Sequence, residues 1–143
     1  MSRRIVTEPE LHLAAARLAE ELPRGSVLWL QGDLGAGKTT FAHAFARARG
    51  VSPPLTSPTF TLAQRYEGPR GPLHHVDCYR LQSPDEAAEL DWDQLTAGDV
   101  LLVEWPERAG AWAPAPSRVV ALAHATDPGR RWLEIAPAPA GRP

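Results

Sequence analysis

Among its 143 residues the sequence has one cysteine, one methionine and one lysine. The lone cysteine, Cys78, excludes an intramolecular disulfide and fits a reducing compartment. No stretch approaches the roughly 18 consecutive apolar residues that a membrane span needs. The N-terminal Met1-Ser2-Arg3-Arg4-Ile5-Val6-Thr7 lacks the apolar run of a secretory leader. Nor is there a basic surplus. The formal net charge is −2, whereas a chain that grips nucleic acid alone usually carries an excess of positive charge. These absences predict a soluble, cytoplasmic protein with no membrane contact, which would meet RNA only through a partner. Hydrophobic residues at 43% and charged residues at 22% are ordinary globular usage. The length suits one domain, expected over residues 1–136, with 137–143 a frayed tail.

The scarcity of lysine is informative. Of fifteen basic side chains, fourteen are arginines and one is Lys38, as a GC-rich genome would favour. The surviving lysine lies in Gly32-Asp33-Leu34-Gly35-Ala36-Gly37-Lys38-Thr39, a match to the phosphate-loop pattern Gly-x4-Gly-Lys-Ser/Thr. A compact ammonium fits between phosphates where a broad guanidinium does not. At average residue frequencies the pattern should arise by chance in well under about one chain in a hundred of this length. Its context agrees: the apolar run Ser26–Gln31 reads as a buried parallel strand, and Lys38–Arg49 as the helix that follows. Glycines let the backbone curl so that successive N–H groups meet phosphate oxygens, with the helix N-terminus behind them. The nucleotide is therefore expected on Asp33, Leu34, Gly35, Ala36, Gly37, Lys38, Thr39 and Thr40, with Lys38 on the β- and γ-phosphates and the Thr39 hydroxyl on Mg²⁺.

Around that core, Arg4–Thr7 is expected as a strand and Glu8–Leu22 as an amphipathic helix, with Glu8 and Glu10 at its positive end. Thr59–Tyr66 and Leu73–Tyr79 predict a hairpin through Gly68-Pro69-Arg70-Gly71. Ser83-Pro84-Asp85-Glu86 reads as a capping box opening a helix to about Leu90, with a further turn near Asp91–Leu95. Val100–Glu104 is a strongly apolar strand, and Arg118–Ala125 with Arg131–Ala136 a C-terminal β-hairpin. Strands alternating with helices early and hairpins late predict an α/β fold: a three-layer P-loop NTPase sandwich with a mixed, largely parallel central sheet.

Such a site needs a carboxylate at the end of a neighbouring strand. Glu104 follows four apolar residues, and Asp77 follows Leu73-His74-His75-Val76. One is expected on Mg²⁺ or its water shell, the other on the attacking water. Of His74 and His75, one imidazole is expected to hydrogen-bond near the nucleotide and the other to face solvent. No third ligand supports a structural zinc. Thr59, in Ser57-Pro58-Thr59, is either a switch residue sensing the γ-phosphate or part of a simple loop-to-strand turn. Trp105 either stacks on a base or packs in the core. Asp85–Glu107 holds eight acids and no base, a solvated face or a docking surface for a basic partner.

Together, Gly32 to Phe41, Ser57-Pro58-Thr59-Phe60-Thr61-Leu62, His75-Val76-Asp77-Cys78-Tyr79-Arg80-Leu81 and Val103-Glu104-Trp105-Pro106-Glu107 resemble the signature blocks of the TsaE family, in the family's order. These are small bacterial ATPases of tRNA threonylcarbamoyladenosine biosynthesis. The resemblance implies ATP and Mg²⁺ as cofactors, with TsaD and TsaB as partners. That complex modifies the adenosine beside the anticodon, so tRNA is met indirectly. It implies Mg²⁺ on Thr39 and Glu104, with Asp77 as the other catalytic-site carboxylate and a further candidate for the metal. Lys38, Thr59 and Trp105 fall in the hydrolytic machinery, and Arg130, in Gly129-Arg130-Arg131, near the nucleotide. Leu11 stands where the family often has Thr, and Cys78 where it usually has Leu. A small-molecule kinase or a nucleotide-dependent binding module would share the loop. A GTPase is disfavoured because no Asn-Lys-x-Asp element exists.

Overall fold

The computed structural model describes residues 3–53, 55 and 62–138. The chain folds around a seven-stranded sheet in the order β1-β7-β6-β2-β5-β4-β3. Its centre is parallel: β2 (Ser26–Gln31) pairs with β5 (Val100–Glu104) on one side and β6 (Arg118–His124) on the other, and β4 (Gly71–Asp77) extends it. Both flanks are antiparallel. β3 (Ala63–Gly68) forms a hairpin with β4, and β7 (Arg130–Pro137) joins β6 to β1 (Arg4–Thr7).

Alternation along the strands sorts the core into two layers. Leu28, Leu30, Leu73, Leu102, Val120, Leu122 and Leu133 face α1 (Glu8–Glu21) and α2 (Lys38–Ala48). Val27, Val76, Cys78, Leu101 and Val103 face α3 (Pro84–Ala87), α4 (Trp92–Thr96) and the residues after β5. The expected sandwich is therefore present. α1 starts at a reciprocal capping box in which the Thr7 hydroxyl takes the Glu10 N–H at 3.3 Å and the Glu10 carboxylate takes the Thr7 N–H at 2.8 Å.

Several boundaries differ from expectation. β4 stops at Asp77, two residues early, because the Asp77 carboxylate takes the Tyr79 N–H at 3.0 Å and turns the chain. The helix from Pro84 ends at Ala87, whose carbonyl accepts from the Trp92 indole N–H at 2.8 Å. Ser83 is its N-cap but makes no side-chain cap bond, and Glu86 instead accepts from the Gln82 N–H. Pro106–Trp112 forms 3-10 turns interrupted at Gly110, where no element was expected. The start of the expected Thr59–Tyr66 strand, with Ser57, Pro58 and Thr59, lies outside the described residues. β7 runs to Pro137, one residue into the expected tail. No described helix is long and apolar enough to cross a membrane.

Candidate functional site

β2 delivers the chain to Gly32, where a Cβ would collide with the Leu122 carbonyl oxygen, so only glycine lets the loop leave this close to β6. The loop closes on Gly37, the left-handed N-cap of α2 at φ 108°, which makes no side-chain cap bond. The first-turn amides of α2 are those a phosphate would take. The loop is also tied across the sheet, since His124 Nε2 lies 2.9 Å from the Leu34 carbonyl oxygen.

Lys38 is buried at 5% exposure. Its ammonium donates to the Gly32 carbonyl and, at 3.1 Å, to that of Asp33, and it stands 4.2 Å over the Trp105 ring. Burial pulls its pKa below the ordinary 10.5, against the opposing charges of Glu104 and Asp77. Trp105 has left-handed backbone angles, φ 55° and ψ 49°, rare for a bulky residue and a mark of local constraint. Its ring contacts Tyr79 and Arg108 as well as Lys38, so it faces the loop and is also packed.

The end of β5 places Glu104 beside Asp77, its partner in the β4–β5 register. The Thr39 hydroxyl donates to Glu104 Oε2 at 3.1 Å, and His75 Nε2 lies 2.6 Å from the same oxygen. Burial raises the Glu104 pKa, but the hydrogen bond and charge of His75, the Thr39 bond and the Lys38 charge outweigh it and leave the carboxyl below its ordinary value. Asp77 goes the other way: burial raises it, the Glu104 charge adds, and the Tyr79 N–H only partly offsets them. His74 does not face solvent as expected. It is buried on the opposite face of β4, with burial lowering its pKa.

Lys38, Thr39, Asp77, Glu104 and Trp105 line one cavity of about 240 Å³ with Leu34, Gly35, Gly37, Thr40, Tyr79 and Arg131. A second cavity of about 210 Å³ shares Gly37, Thr40 and Arg131 with it and adds Glu8, Leu11, Pro128 and Gly129. Ala36 is buried beneath the loop, and Asp33 is exposed at its tip. Arg130 is not brought to the cavities. It pairs with Asp127, Nε to Oδ2 3.4 Å, and its neighbour Arg131 points inward instead. The pleat explains the exchange: Arg131 shares a face with buried Leu133, whereas Arg130 shares one with Trp132. That alternation was readable in Arg-Arg-Trp-Leu. Tyr79 and Arg108 carry no comparable local signal.

The model of the family described as threonylcarbamoyl adenosine biosynthesis protein TsaE matches residues 5–132. The chain belongs to the TsaE family. Over 125 residues it is 39% identical to the tRNA threonylcarbamoyladenosine biosynthesis protein TsaE of Nostoc sp., covering 84% of this chain and 75% of that one. Over 124 residues it is 39% identical to the protein of that name from Bacillus subtilis, covering 85% and 77%. The crystal structure of Bacillus subtilis YdiB superimposes with a TM-score of 0.72 at 31% identity, covering 96% of this chain and 86% of that one. The TsaE assignment and the P-loop fold thus agree with the site's geometry.

Proposed function

We propose that this TsaE-family chain binds Mg²⁺–ATP in the joined cavities and hydrolyses it in support of tRNA threonylcarbamoyladenosine formation, acting in the cytoplasm with TsaD and TsaB. The observation that carries the reading is the contact of Thr39 with Glu104 beside the buried ammonium of Lys38. The Thr39 hydroxyl and two carboxylates at adjacent strand ends form a hard oxygen donor set that suits Mg²⁺. The raised pKa of Asp77 and its repulsion from Glu104 are what a cation would relieve.

In this reading the loop amides and Lys38 hold the triphosphate, and Thr39 and Glu104 would hold the metal. When bound, the metal neutralises charge on the phosphate oxygens. Asp77 orients the water that attacks the γ-phosphorus, releasing ADP and phosphate. Arg131 lies between the two cavities, placed to meet phosphate or ribose oxygens, and the base takes the second cavity against Leu11. Thr59, outside the described residues, would be the γ-phosphate sensor in this reading, the first of its two expected roles.

The test measures phosphate release by the isolated protein and then with TsaD and TsaB added. Slow release that rises with the partners is expected. Stoichiometric transfer of phosphate to a small metabolite would overturn the reading in favour of a kinase. Lys38→Ala should reduce ATP affinity at least ~100-fold, as expected for a buried charged partner lost from a phosphate site, with the fold retained by circular dichroism. Unchanged affinity would remove the loop from the site.

A further inference from the structure

One buried group beside the proposed metal donors has no role in that reading. We propose that His75 is a positioning residue for Glu104, holding Oε2 with its Nε2–H so that Oε1 is presented to a divalent cation next to Thr39. The inference rests on the Mg²⁺–ATP reading and deepens it.

The geometry is specific. His75 pairs with Leu102 in the parallel β4–β5 register, which places it one pleat behind Glu104 on the same face of the sheet. The two side chains are 1% and 4% exposed and meet at 2.6 Å. An ionised carboxylate only accepts hydrogen bonds, so the shared proton must sit on the imidazole Nε2. Thr39 donates to the same oxygen. Among the described residues Oε1 takes no hydrogen bond, so both donors hold one oxygen of a carboxylate that lines the cavity and leave the other unbonded.

The rest of the ring argues against a purely structural role. Among the described residues Nδ1 is buried without a hydrogen-bond partner, and the ring edge packs on His43 with centroids 6.2 Å apart. A core position that only had to be filled would be better served by an apolar ring, since an unpartnered buried nitrogen is a cost with no structural return. Among the described residues the Nε2 contact is the ring's one hydrogen bond, and it falls on Glu104. Groups that orient a ligating carboxylate typically change metal affinity 10- to 100-fold when removed.

The test compares wild type, His75→Phe and His75→Gln. Phe fills the space without a donor, whereas the Gln amide can still reach Glu104. Mn²⁺ binding in the presence of ATP is followed by electron paramagnetic resonance, and ATP affinity is measured separately in excess chelator. His75→Phe should bind Mn²⁺ about 10- to 100-fold more weakly, with metal-free ATP affinity within about twofold of wild type. His75→Gln should recover most of the loss. A ring needed only for packing would not separate the two affinities. Unchanged Mn²⁺ affinity in His75→Phe, or His75→Gln as weak as His75→Phe, would overturn the inference while leaving the ATP site standing. Wild type that binds no ATP would instead sink the reading beneath it. Should His75→Phe fail to fold, nitrogen NMR of the wild-type ring decides. A proton on Nε2 supports the inference, and one on Nδ1 overturns it.

Discussion

Strand β5 has a buried carboxylate just before its first residue and another at its last, and the fold treats them in opposite ways. Asp99 is matched on both oxygens by Arg49, with Nη2 to Oδ1 at 2.5 Å and Nε to Oδ2 at 3.2 Å, both side chains at 2% exposure or less. The remaining Arg49 nitrogen donates to the Ala19 and Leu22 carbonyls, each at 2.6 Å, closing the C-terminal end of α1. Every side-chain nitrogen of Arg49 and both carboxylate oxygens of Asp99 are thus bonded within the described residues. Glu104 is almost as buried, yet its hydrogen bonds fall on a single oxygen and it opens onto a cavity. With burial and strand held constant, what separates the structural carboxylate from the one proposed as a metal donor is whether the protein satisfies it completely.

The largest expected effect breaks the closed end. Arg49→Met leaves Asp99 buried without a counter-charge and should cost ~3–5 kcal/mol of stability, measured by urea denaturation. ATP affinity of the folded fraction should not change. Adding Asp99→Leu should return part of the loss, because two apolar groups replace an ion pair more cheaply than one stranded charge. A single-variant loss below ~1 kcal/mol would place Arg49–Asp99 among ordinary surface pairs and dissolve the contrast.

The open end was far more legible in the sequence than the closed one. The phosphate loop and Glu104 are marked by local pattern: glycine spacing in one case, four apolar residues ending in an acid in the other. Arg49 and Asp99 lie 50 positions apart, and nothing local marks either as a partner. The same limit hid Tyr79 and Arg108 around Trp105, which meet only because the chain turns sharply after β4 and again after β5. Arg131 is a different case, since its inward direction follows from alternation with Leu133, which outweighs the Gly-Arg motif that singled out Arg130. The α-helix from Pro84 ends at Ala87 and reaches the expected Leu90 only as i→i+3 turns, a tightening that helix propensity does not foresee.

Glu104→Gln sharpens the comparison from the other side. The amide oxygen still accepts from His75, so the fold should lose less than ~2 kcal/mol, well short of the Arg49→Met loss. Divalent-metal affinity with ATP present should fall at least about a hundredfold, the upper end of what even orienting groups contribute. Retained Mg²⁺-dependent hydrolysis would remove Glu104 from the metal site and leave the two ends of β5 functionally alike.

The smallest expected effect concerns the paired carboxylates of the open end, whose pKa values shift in opposite directions. Glu104 lies below its ordinary 4.5 in the folded state, so its contribution to stability is present above pH 4.5 and is lost as pH falls through the lower folded value. Asp77 lies above its ordinary 3.8, chiefly from burial. Its contribution is fully present below pH 3.8 and is lost as pH rises through the higher folded value. At neutral pH and without metal, Asp77 is therefore a net cost. Asp77→Asn keeps an oxygen to accept the Tyr79 N–H and removes the charge. It should stabilise the metal-free protein at pH 7 by less than either variant above changes it, measured by urea denaturation. The gain should vanish below pH 3.8, where the wild-type carboxyl is already neutral, and also in saturating Mg²⁺–ATP, where the wild-type charge has a use. A gain equal at both pH values would mean that the substitution repacks the strand end and that charge at the open site is not what costs stability.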